Sequence, residues 1–351
     1  MGEITKRAGV TVPLPGHLHT HKDRLHQLAD AGYTDLWSAE SDGTDGFTPL
    51  ALAAAWEPRL RLGTAIIPAY TRGPACMAQS VASMADAAPG RFAIGLGSSS
   101  NVIIEKWNDI PFAEPYRKTR DMVRFLKDAL DGEKIVKEYD TFKVNGFRLG
   151  VKPEVRPDIL VAGLREGMLK MAGRESDGAI INWLSPDDVP KVVDAVHQGS
   201  GGKPREIVAR LFVCPSENAP VVREAAKFLI AAYLNVEVYA KFHEWLGRGP
   251  QLQAMWDAWK AGDRKAALAA IPDSVVDDLV VHGSLSKCRE TIERYYSNGV
   301  TTTSLTVVGL DPEVLLGQHH RAVTVGFVTQ RATKYFALGW WQIIAEVVCS
   351  G

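Results

Sequence analysis

Residues 74–97 read PACMAQSVASMADAAPGRFAIGLG and give the clearest fold signal in the chain. It opens with a proline, which is favoured in the first turn of a helix, and apolar residues then recur at helical spacing. A Pro89-Gly90 turn follows, and Phe92–Leu96 is a short apolar run of the kind that forms a buried strand. The stretch therefore predicts a helix that leads through a tight turn into a buried strand.

The same alternation of short apolar runs with longer amphipathic stretches continues along the chain. The predicted strands are Ala8–Pro13, Thr34–Ala39, Leu60–Ile67, Phe92–Leu96, Ile159–Ala162, Ala179–Asn182, Ile207–Val213 and Thr303–Val308. The predicted helices are Lys22–Ala31, Pro49–Ala55, Pro74–Ala88, Tyr116–Asp131, Arg165–Arg174, Asp187–His197 and Ser286–Ser297. Eight strands that alternate with helices are typical of an α/β fold, the (β/α)8 TIM barrel, whose active site lies at the C-terminal face of the strands. A doubly wound parallel sheet is the alternative.

Two long segments interrupt this alternation, and each follows the C-terminal end of a predicted strand. Insertions are predicted at about residues 98–157, with a hairpin whose turn is Asn145-Gly146, and at about residues 215–272, which add helices. We expect both to cover the mouth of the barrel. The barrel domain is predicted to span residues 1–310, and residues 311–351 form a C-terminal extension whose pattern predicts no clear structure.

The composition narrows the class of protein. Of the 351 residues, 46% are hydrophobic, and 40 Lys and Arg balance 41 Asp and Glu, so there is no basic excess for nucleic acid or an anionic membrane. Four scattered cysteines indicate neither a zinc ribbon nor a disulfide framework. No apolar run is long enough to span a membrane, and the first residues lack the apolar region of a signal peptide. We therefore expect a cytoplasmic protein.

Two glycines mark the end of the fourth predicted strand. Gly95 and Gly97 lack a Cβ, which allows a planar or phosphorylated ligand to approach the backbone closely. Tight packing inside a barrel explains the same glycines equally well. Ser98 follows directly and adds a hydroxyl group. The three residues are candidate cofactor-binding residues.

Several motifs in this chain resemble those of the luciferase-like monooxygenase superfamily, and specifically its branch of coenzyme F420-dependent oxidoreductases. Besides residues 74–97, they are Gly32–Glu40 (GYTDLWSAE), Leu62–Ile66 (LGTAI) and Ala172–Ile180 (AGRESDGAI). The resemblance extends from about Ala8 to Val308. It implies a (β/α)8 barrel that holds a flavin or a deazaflavin with the ring at the barrel mouth.

The resemblance also implies two coenzyme-binding segments. Members of the family often have a non-prolyl cis peptide at the end of the third strand, and the matching pair here is Ala65-Ile66. The phosphate of the coenzyme is expected at the turn Gly163-Leu164-Arg165-Glu166-Gly167, because this turn opens a helix whose N-terminus offers free N–H groups. The family commonly has Gly-Pro in place of Arg165-Glu166. Glu166 would repel a phosphate unless its side chain points away.

At the end of the second strand the family frequently has an acidic residue followed by histidine. This chain has Glu40 and Ser41 there, and these are its candidate catalytic residues. Serine forms hydrogen bonds but is a poor acid, which puts in doubt the reactions of histidine-bearing relatives, such as sugar-phosphate dehydrogenation. Glu40 is a candidate proton handler or substrate anchor, with a structural hydrogen bond as the alternative.

Aromatic side chains near the predicted mouth are candidates for contact with a substrate. Trp56, Trp107 and Trp183 are singled out from a group that also includes Tyr239 and Trp245, with core packing as the alternative. As a group they favour a rather apolar organic substrate. The alternating histidines His17, His19 and His21 suggest a metal site, but no carboxylate or cysteine stands at a suitable spacing. A polar loop is the preferred interpretation, and no metal is expected.

The sequence therefore predicts an enzyme, an F420-dependent oxidoreductase that moves a hydride between the deazaflavin and a small organic molecule. An FMN-dependent luciferase-like monooxygenase is the first alternative. A noncatalytic cofactor-binding protein is the second, because Ser41 stands in the place of the family histidine. A hydrolytic or isomerising barrel without cofactor ranks last. Barrel relatives of this kind are often dimers, so a homodimer is expected.

Overall fold

The computed structural model describes residues 6–308, which form a closed barrel of eight parallel strands. The barrel strands are β1 (Arg7–Val12), β2 (Asp35–Ser38), β3 (Arg61–Thr64), β4 (Phe92–Gly97), β5 (Asp158–Ala162), β6 (Gly178–Asn182), β7 (Glu206–Cys214) and β8 (Thr302–Val307). Each is paired in parallel with the next, and β8 pairs with β1. The barrel prediction is confirmed, and the doubly wound alternative is wrong because that sheet is open.

The helices lie between the strands, as the alternation predicts. They are α1 (Lys22–Asp30), α2 (Thr48–Trp56), α3 (Pro74–Ala87), α4 (Pro115–Leu130), α5 (Glu166–Glu175), α6 (Val189–Ser200), α7 (Ala219–Leu234), α8 (Glu237–Leu246), α9 (Gly249–Lys260), α10 (Arg264–Ala269), α11 (Asp273–Leu279) and α12 (Leu285–Ser297). Shorter elements are the 3-10 turns Leu18–Thr20 and Pro186–Asp188, the π-helical segment Val102–Trp107, and the strands Ile67–Pro68 and Val280–His282. In each βα unit the helix begins at the barrel mouth and ends at the opposite face.

Both predicted insertions follow the C-terminal ends of barrel strands. Between β4 and β5 lies a hairpin of Ile135–Glu138 with Lys143–Phe147, and between β7 and β8 lie helices α7 to α11. The hairpin turn is at Tyr139–Phe142, so the prediction of Asn145-Gly146 is wrong: Gly146 lies within the second hairpin strand. The aromatic rings of Tyr139 and Phe142 pack 4.8 Å apart and both contact Phe125 of α4, which fixes the turn.

The predicted domain boundary and the expected homodimer stay predictions. The extension predicted for residues 311–351 lies outside the described residues.

An indole ring fills the middle of the barrel. Trp37 of β2 is fully buried and points inwards, where its neighbours on β1 and β3 are Gly9 and Gly63. A Cβ on Gly63 would collide with the indole, and one on Gly9 would lie 2.8 Å from both the indole Cδ1 and the carbonyl oxygen of Thr303. Glycine at both positions therefore makes room for the largest side chain of the interior.

An ionic layer closes the bottom of the barrel beneath Trp37. The buried Arg61 guanidinium binds both oxygens of Glu206 (2.7 and 2.8 Å), Asp158 (3.0 Å) and Asp35 (3.3 Å), and it lies 5.6 Å from the Trp37 ring. Burial raises the pKa of Asp35. Burial opposes ionisation of Glu206 as well, but the hydrogen bonds and charge of Arg61, together with the hydrogen bond from Thr302, outweigh it and lower the pKa of Glu206. One cation thus holds together four strands.

The pairing of β3 with β4 contains one extra residue. Gly63 pairs with Ala93, and pairing resumes with Ile67 opposite Leu96, so three residues on one side face two on the other. The Thr64 hydroxyl bridges the gap: it accepts from the Gly95 N–H (2.8 Å) and donates to the Gly95 carbonyl (2.9 Å). A Cβ on Gly95 would collide with the carbonyl oxygen of Thr64. Gly95 is thus required by packing.

Loss of the Arg61 guanidinium should destabilise the barrel. The substitution Arg61→Met leaves buried carboxylates without a counter-charge, and we expect the free energy of unfolding to fall by about 3–5 kcal/mol. Urea denaturation measures the change. The control is Arg294→Met, which removes an exposed ion pair with Asp187 and should cost less than about 1 kcal/mol. Equal losses in the two variants would contradict the role given to Arg61.

A methyl group at Gly95 should also destabilise the fold. We expect Gly95→Ala to lower the free energy of unfolding by about 1–3 kcal/mol, because the strand must shift away from Thr64. The matched control is Gly150→Ala, where a Cβ meets no atom within 4 Å and the change should stay within about 0.5 kcal/mol. Thermal and urea unfolding of the two variants measure the difference. A Gly95→Ala protein as stable as the control would refute the packing requirement.

Candidate functional site

A small apolar surface lies at the barrel mouth beside the extra residue of β3. Ala65, Ile66 and Ala162 are half-buried and pack on the apolar layer that contains Trp37. The Ala65-Ile66 peptide bond is cis, as the resemblance implies. A Cβ on Gly97 would lie 3.0 Å from Ile66 Cδ1 and 3.2 Å from Ala162 Cβ. We name Ala65, Ile66, Gly97 and Ala162 the mouth platform, and small apolar side chains beside a glycine are a surface that suits one face of a planar ring.

The N-terminus of α5 adjoins the mouth platform, because Ala162 is followed directly by the turn that opens this helix. Within residues 6–308, the N–H groups of Glu166, Gly167 and Met168 have no hydrogen-bond partner. The Glu166 carboxylate turns along the helix to Lys170 Nζ, 2.6 Å away, and so does not block the turn. Free amides and the positive end of the helix dipole form a site that favours an anion.

The other residues of this turn have distinct environments. Gly163 packs tightly, because a Cβ there would lie 3.1 Å from Leu169 Cδ2, whereas the space beside Gly167 is open. Leu164 packs against the hydrophobic core. Arg165 is exposed at the N-cap of α5 and is therefore free to approach a bound anion. Its charge also lowers the pKa of Glu237 on α8, after the larger effect of Lys241.

The Glu40 carboxylate is held by three donors. Its Oε1 accepts from Arg72 Nη1 (2.7 Å) and from the Thr71 hydroxyl (3.1 Å), and its Oε2 accepts from the Gly46 N–H (3.1 Å). The Glu40 N–H donates to the carbonyl of Ile66 at 3.1 Å. Both carboxylate oxygens are engaged, so the geometry favours the structural alternative: Glu40 fastens the loop after β2 to the mouth platform. Proton transfer by Glu40 stays a prediction.

Ser41 and Ser98 lie at the mouth but are not held towards a common point. The Ser41 side chain is exposed and its hydroxyl contacts Asp42 at 3.1 Å. Ser98 is half-buried directly after β4, with its hydroxyl 3.4 Å from the Ser99 carbonyl oxygen. Neither serine contacts a group that would activate it as a nucleophile among the described residues.

The three predicted tryptophans lie in three different environments. Trp56 is the last residue of α2 and thus lies at the face opposite the mouth, so its prediction as a substrate-contacting residue is wrong. Trp183 follows β6 at the mouth but is only 1% exposed, stacked on Phe212 at 4.1 Å and packed near Tyr233 at 4.9 Å. It supports the wall of the mouth from behind. Trp107 is 42% exposed in the segment after β4.

A polar wall faces the mouth platform across the barrel, and of its residues only Tyr239 was expected near the mouth from the sequence. Its residues are Thr11 of β1, Asn182 of β6, Arg210 of β7, Thr306 of β8 and Tyr239 of α8. Thr11 and Thr306 share a hydrogen bond of 2.8 Å, and Asn182 Nδ2 donates to Tyr239 Oη at 3.2 Å. Alternation along the predicted strands would have placed Arg210 on the inner face.

Two further predictions concern metals and membranes. The His17 and His19 rings stack at 5.7 Å, and His21 is buried. Across residues 6–308 no group of three or more His, Cys, Asp or Glu side chains is arranged to hold a metal ion. Over the same residues, no helix is long and apolar enough to cross a membrane.

Comparison with known proteins places this architecture in a family. The family model for luciferase-like monooxygenases matches residues 4–302. A 5,10-methylenetetrahydromethanopterin reductase of Methanolobus tindarius is 26% identical over 280 residues, which are 77% of this chain and 84% of that protein. A putative coenzyme F420-dependent oxidoreductase of Mycobacterium tuberculosis is 24% identical over 312 residues, 82% of this chain and 90% of that protein.

A solved structure shares the fold over nearly its whole length. The F420-dependent tetrahydromethanopterin reductase of Methanopyrus kandleri superposes with a TM-score of 0.73 at 20% identity, covering 90% of this chain and 98% of that chain. The family model matches most of the chain, and the barrel carries its mouth platform where the family motifs predict the ring. This protein therefore belongs to the luciferase-like monooxygenase family, and at the level of the family it is an enzyme.

Proposed function

We propose that this protein is an oxidoreductase that binds the deazaflavin coenzyme F420 at the barrel mouth and acts on a small organic molecule. The observation that carries the proposal is the mouth platform adjoining the free N-terminus of α5. One part suits a planar ring and the other suits a phosphate. The names of the F420-dependent relatives support the same coenzyme. When bound, the deazaflavin supplies hydride transfer.

The residues of this chain have separate tasks in the proposal. Ala65, Ile66, Gly97 and Ala162 support one face of the ring and exclude water from it. The amides of Glu166, Gly167 and Met168, together with Arg165, bind the phosphate. Ser98 lies beside the platform and is proposed to contact the coenzyme.

Other residues hold the loop after β2 in place and form the side of the mouth opposite the platform. Glu40 keeps the loop after β2 against Ile66. Ser41, the next residue in this loop, carries an exposed hydroxyl. The polar wall, with Tyr239 and Asn182, completes the mouth opposite the platform. A substrate bound between the wall and the platform would have its reacting atom directly over the ring.

The choice of coenzyme is tested by titration. Purified protein is titrated in parallel with F420 and with FMN, and the fluorescence of each ligand gives its dissociation constant. We expect F420 to bind at least tenfold more tightly than FMN. Gly97→Val should weaken F420 binding at least tenfold because the side chain covers the platform, while Gly150→Ala, far from any neighbour, should bind as the parent protein does.

Preferential binding of FMN would move the protein to the oxygen-using monooxygenases, and binding of neither coenzyme would overturn both assignments. Binding of F420 without turnover of any hydride donor or acceptor would leave the noncatalytic alternative.

The phosphate position is tested by a charge at the N-terminus of α5. Because the space beside Gly167 is open, Gly167→Asp is expected to fold, and its carboxylate there interacts favourably with the helix dipole. It should nevertheless repel the phosphate and weaken F420 binding at least tenfold. Gly167→Asn is the matched neutral control and should bind several-fold more tightly than the Asp variant. Equal affinities for the two variants, measured by fluorescence titration, would contradict a phosphate at this turn.

A further inference from the structure

One cation at the barrel mouth has no carboxylate partner. Arg210 of β7 is half-buried and points inwards, in register between Asn182 on β6 and Ser304 on β8. Its Nε donates to Thr306 Oγ1 at 3.1 Å, and its Cζ lies 5.2 Å from the centre of the Phe212 ring. Phe212 lies two residues beyond Arg210 on β7, and Thr306 lies two residues beyond Ser304 on β8, so both are nearer to the C-terminal ends of their strands. The guanidinium is therefore directed towards the mouth.

Three other arginines that lie at buried or half-buried positions are neutralised by carboxylates. Arg61 binds Asp35, Asp158 and Glu206, Arg72 binds Glu40, and Arg248 binds Asp188 and Asp278. For Arg210, no Asp or Glu oxygen lies within ion-pair distance in the part of the chain that the structure describes. A guanidinium withdrawn from water without a counter-charge is costly unless a ligand supplies that charge.

The groups around Arg210 are hydrogen-bond donors or neutral. Asn182 Nδ2 donates to Tyr239 Oη, which leaves the hydroxyl hydrogen of Tyr239 to donate elsewhere. Burial raises the pKa of Tyr239 to about 12, so this hydroxyl keeps its proton at neutral pH. The hydroxyls of Thr11 and Thr306 bond to each other. An oxyanion beside Arg210 would meet donors and no competing negative charge.

The position of Arg210 separates it from the proposed coenzyme groups. The mouth platform and the α5 N-terminus are built on β3, β4 and β5, whereas Arg210 lies on β7 across the barrel, next to the helices inserted before β8. In the proposed function, the phosphate of the coenzyme has its own donors, the unpaired amides at the start of α5. The cation therefore faces the substrate side of the mouth.

We propose that Arg210 binds an oxyanion of the substrate, so that the substrate is an organic acid, a carboxylate or a phosphate ester, held by the guanidinium and by the Tyr239 hydroxyl. The identification of that side with the substrate rests on the proposed function. The proposed oxyanion site revises the sequence-based expectation of a rather apolar substrate. The apolar part of the substrate would lie on the side of the mouth platform, and its acidic group would lie at Arg210. Both oxygens of such a group can be bound by one guanidinium.

The test compares charged and neutral ligands of similar size. Benzoate, phenyl phosphate and benzyl alcohol are titrated into the protein alone and into the protein loaded with F420, and tryptophan fluorescence and calorimetry give the dissociation constants. The variants are Arg210→Met, which keeps the length but removes the charge, and Arg210→Lys, which keeps the charge but not the two-pronged geometry. The control is Arg117→Met, which removes an exposed cation on α4.

We expect at least one of the two anions to bind the parent protein at least tenfold more tightly than benzyl alcohol. Arg210→Met should abolish that preference, Arg210→Lys should keep part of it, and Arg117→Met should not change it. The affinity for F420 should change less than threefold in Arg210→Met. Comparison of benzoate with phenyl phosphate identifies the acidic group.

The proposal is overturned if the parent protein shows no preference for the anions, or if the Arg210→Met variant keeps that preference. It is also overturned if Arg210→Met instead weakens F420 binding tenfold, since the cation would then serve the coenzyme. Failure of the proposed function is a separate outcome. If the parent protein binds no F420 but the protein alone still prefers anions through Arg210, the coenzyme assignment fails and the oxyanion site is supported.

Discussion

The whole architecture depends on how the interior of a closed eight-stranded barrel is filled. Inward side chains from eight strands must share a fixed volume, and here the Trp37 indole takes the centre because Gly9 and Gly63 leave it room. Beneath it, Arg61 and its carboxylates close the bottom. The barrel is therefore a packed core without a channel, and the mouth is the end at which it can receive a ligand.

The mouth itself has two unlike halves. On the side of β3 to β5, the surface consists of small side chains and of backbone: the mouth platform and the unpaired amides at the start of α5. On the side of β6 to β8, it consists of polar side chains, with Arg210 as the charged centre and Tyr239 supplied by an inserted helix. A flat apolar surface and a cationic polar wall that face each other suit two different molecules, one on each side.

Local signals in the sequence predicted most of the fold. Gly32, Gly132 and Gly299 have positive φ angles after helices, as C-terminal glycines do, and the N–H and hydroxyl of Ser185 both contact Asp188 where a helix start was expected. The cis peptide at Ala65-Ile66 came from the family resemblance alone. The helix starts and ends, by contrast, are encoded within a few residues, which is why a single sequence sufficed for them.

Features that depend on distant residues were missed or misassigned. The importance of Arg210 lies in the lack of a nearby carboxylate, which becomes visible only when four strands and an inserted helix are assembled. Trp56 was grouped with aromatic residues at strand ends and in the insertions, but it is the last residue of α2, and a helix that starts at the mouth ends at the other face. The hairpin turn was set by aromatic contacts with α4, which no dipeptide signal encodes.

The division of the mouth has a consequence for how such a protein diversifies. Glycine, alanine and main-chain amides offer few positions at which a mutation can adjust chemistry without harming the barrel, so the platform half is constrained to stay the same. The opposite half owes Tyr239 to helices α7 to α11, which are an excursion from the barrel rather than part of its closure. Exchange of that excursion would change what is recognised while leaving the other half untouched, so new specificities can arise on an old catalytic frame.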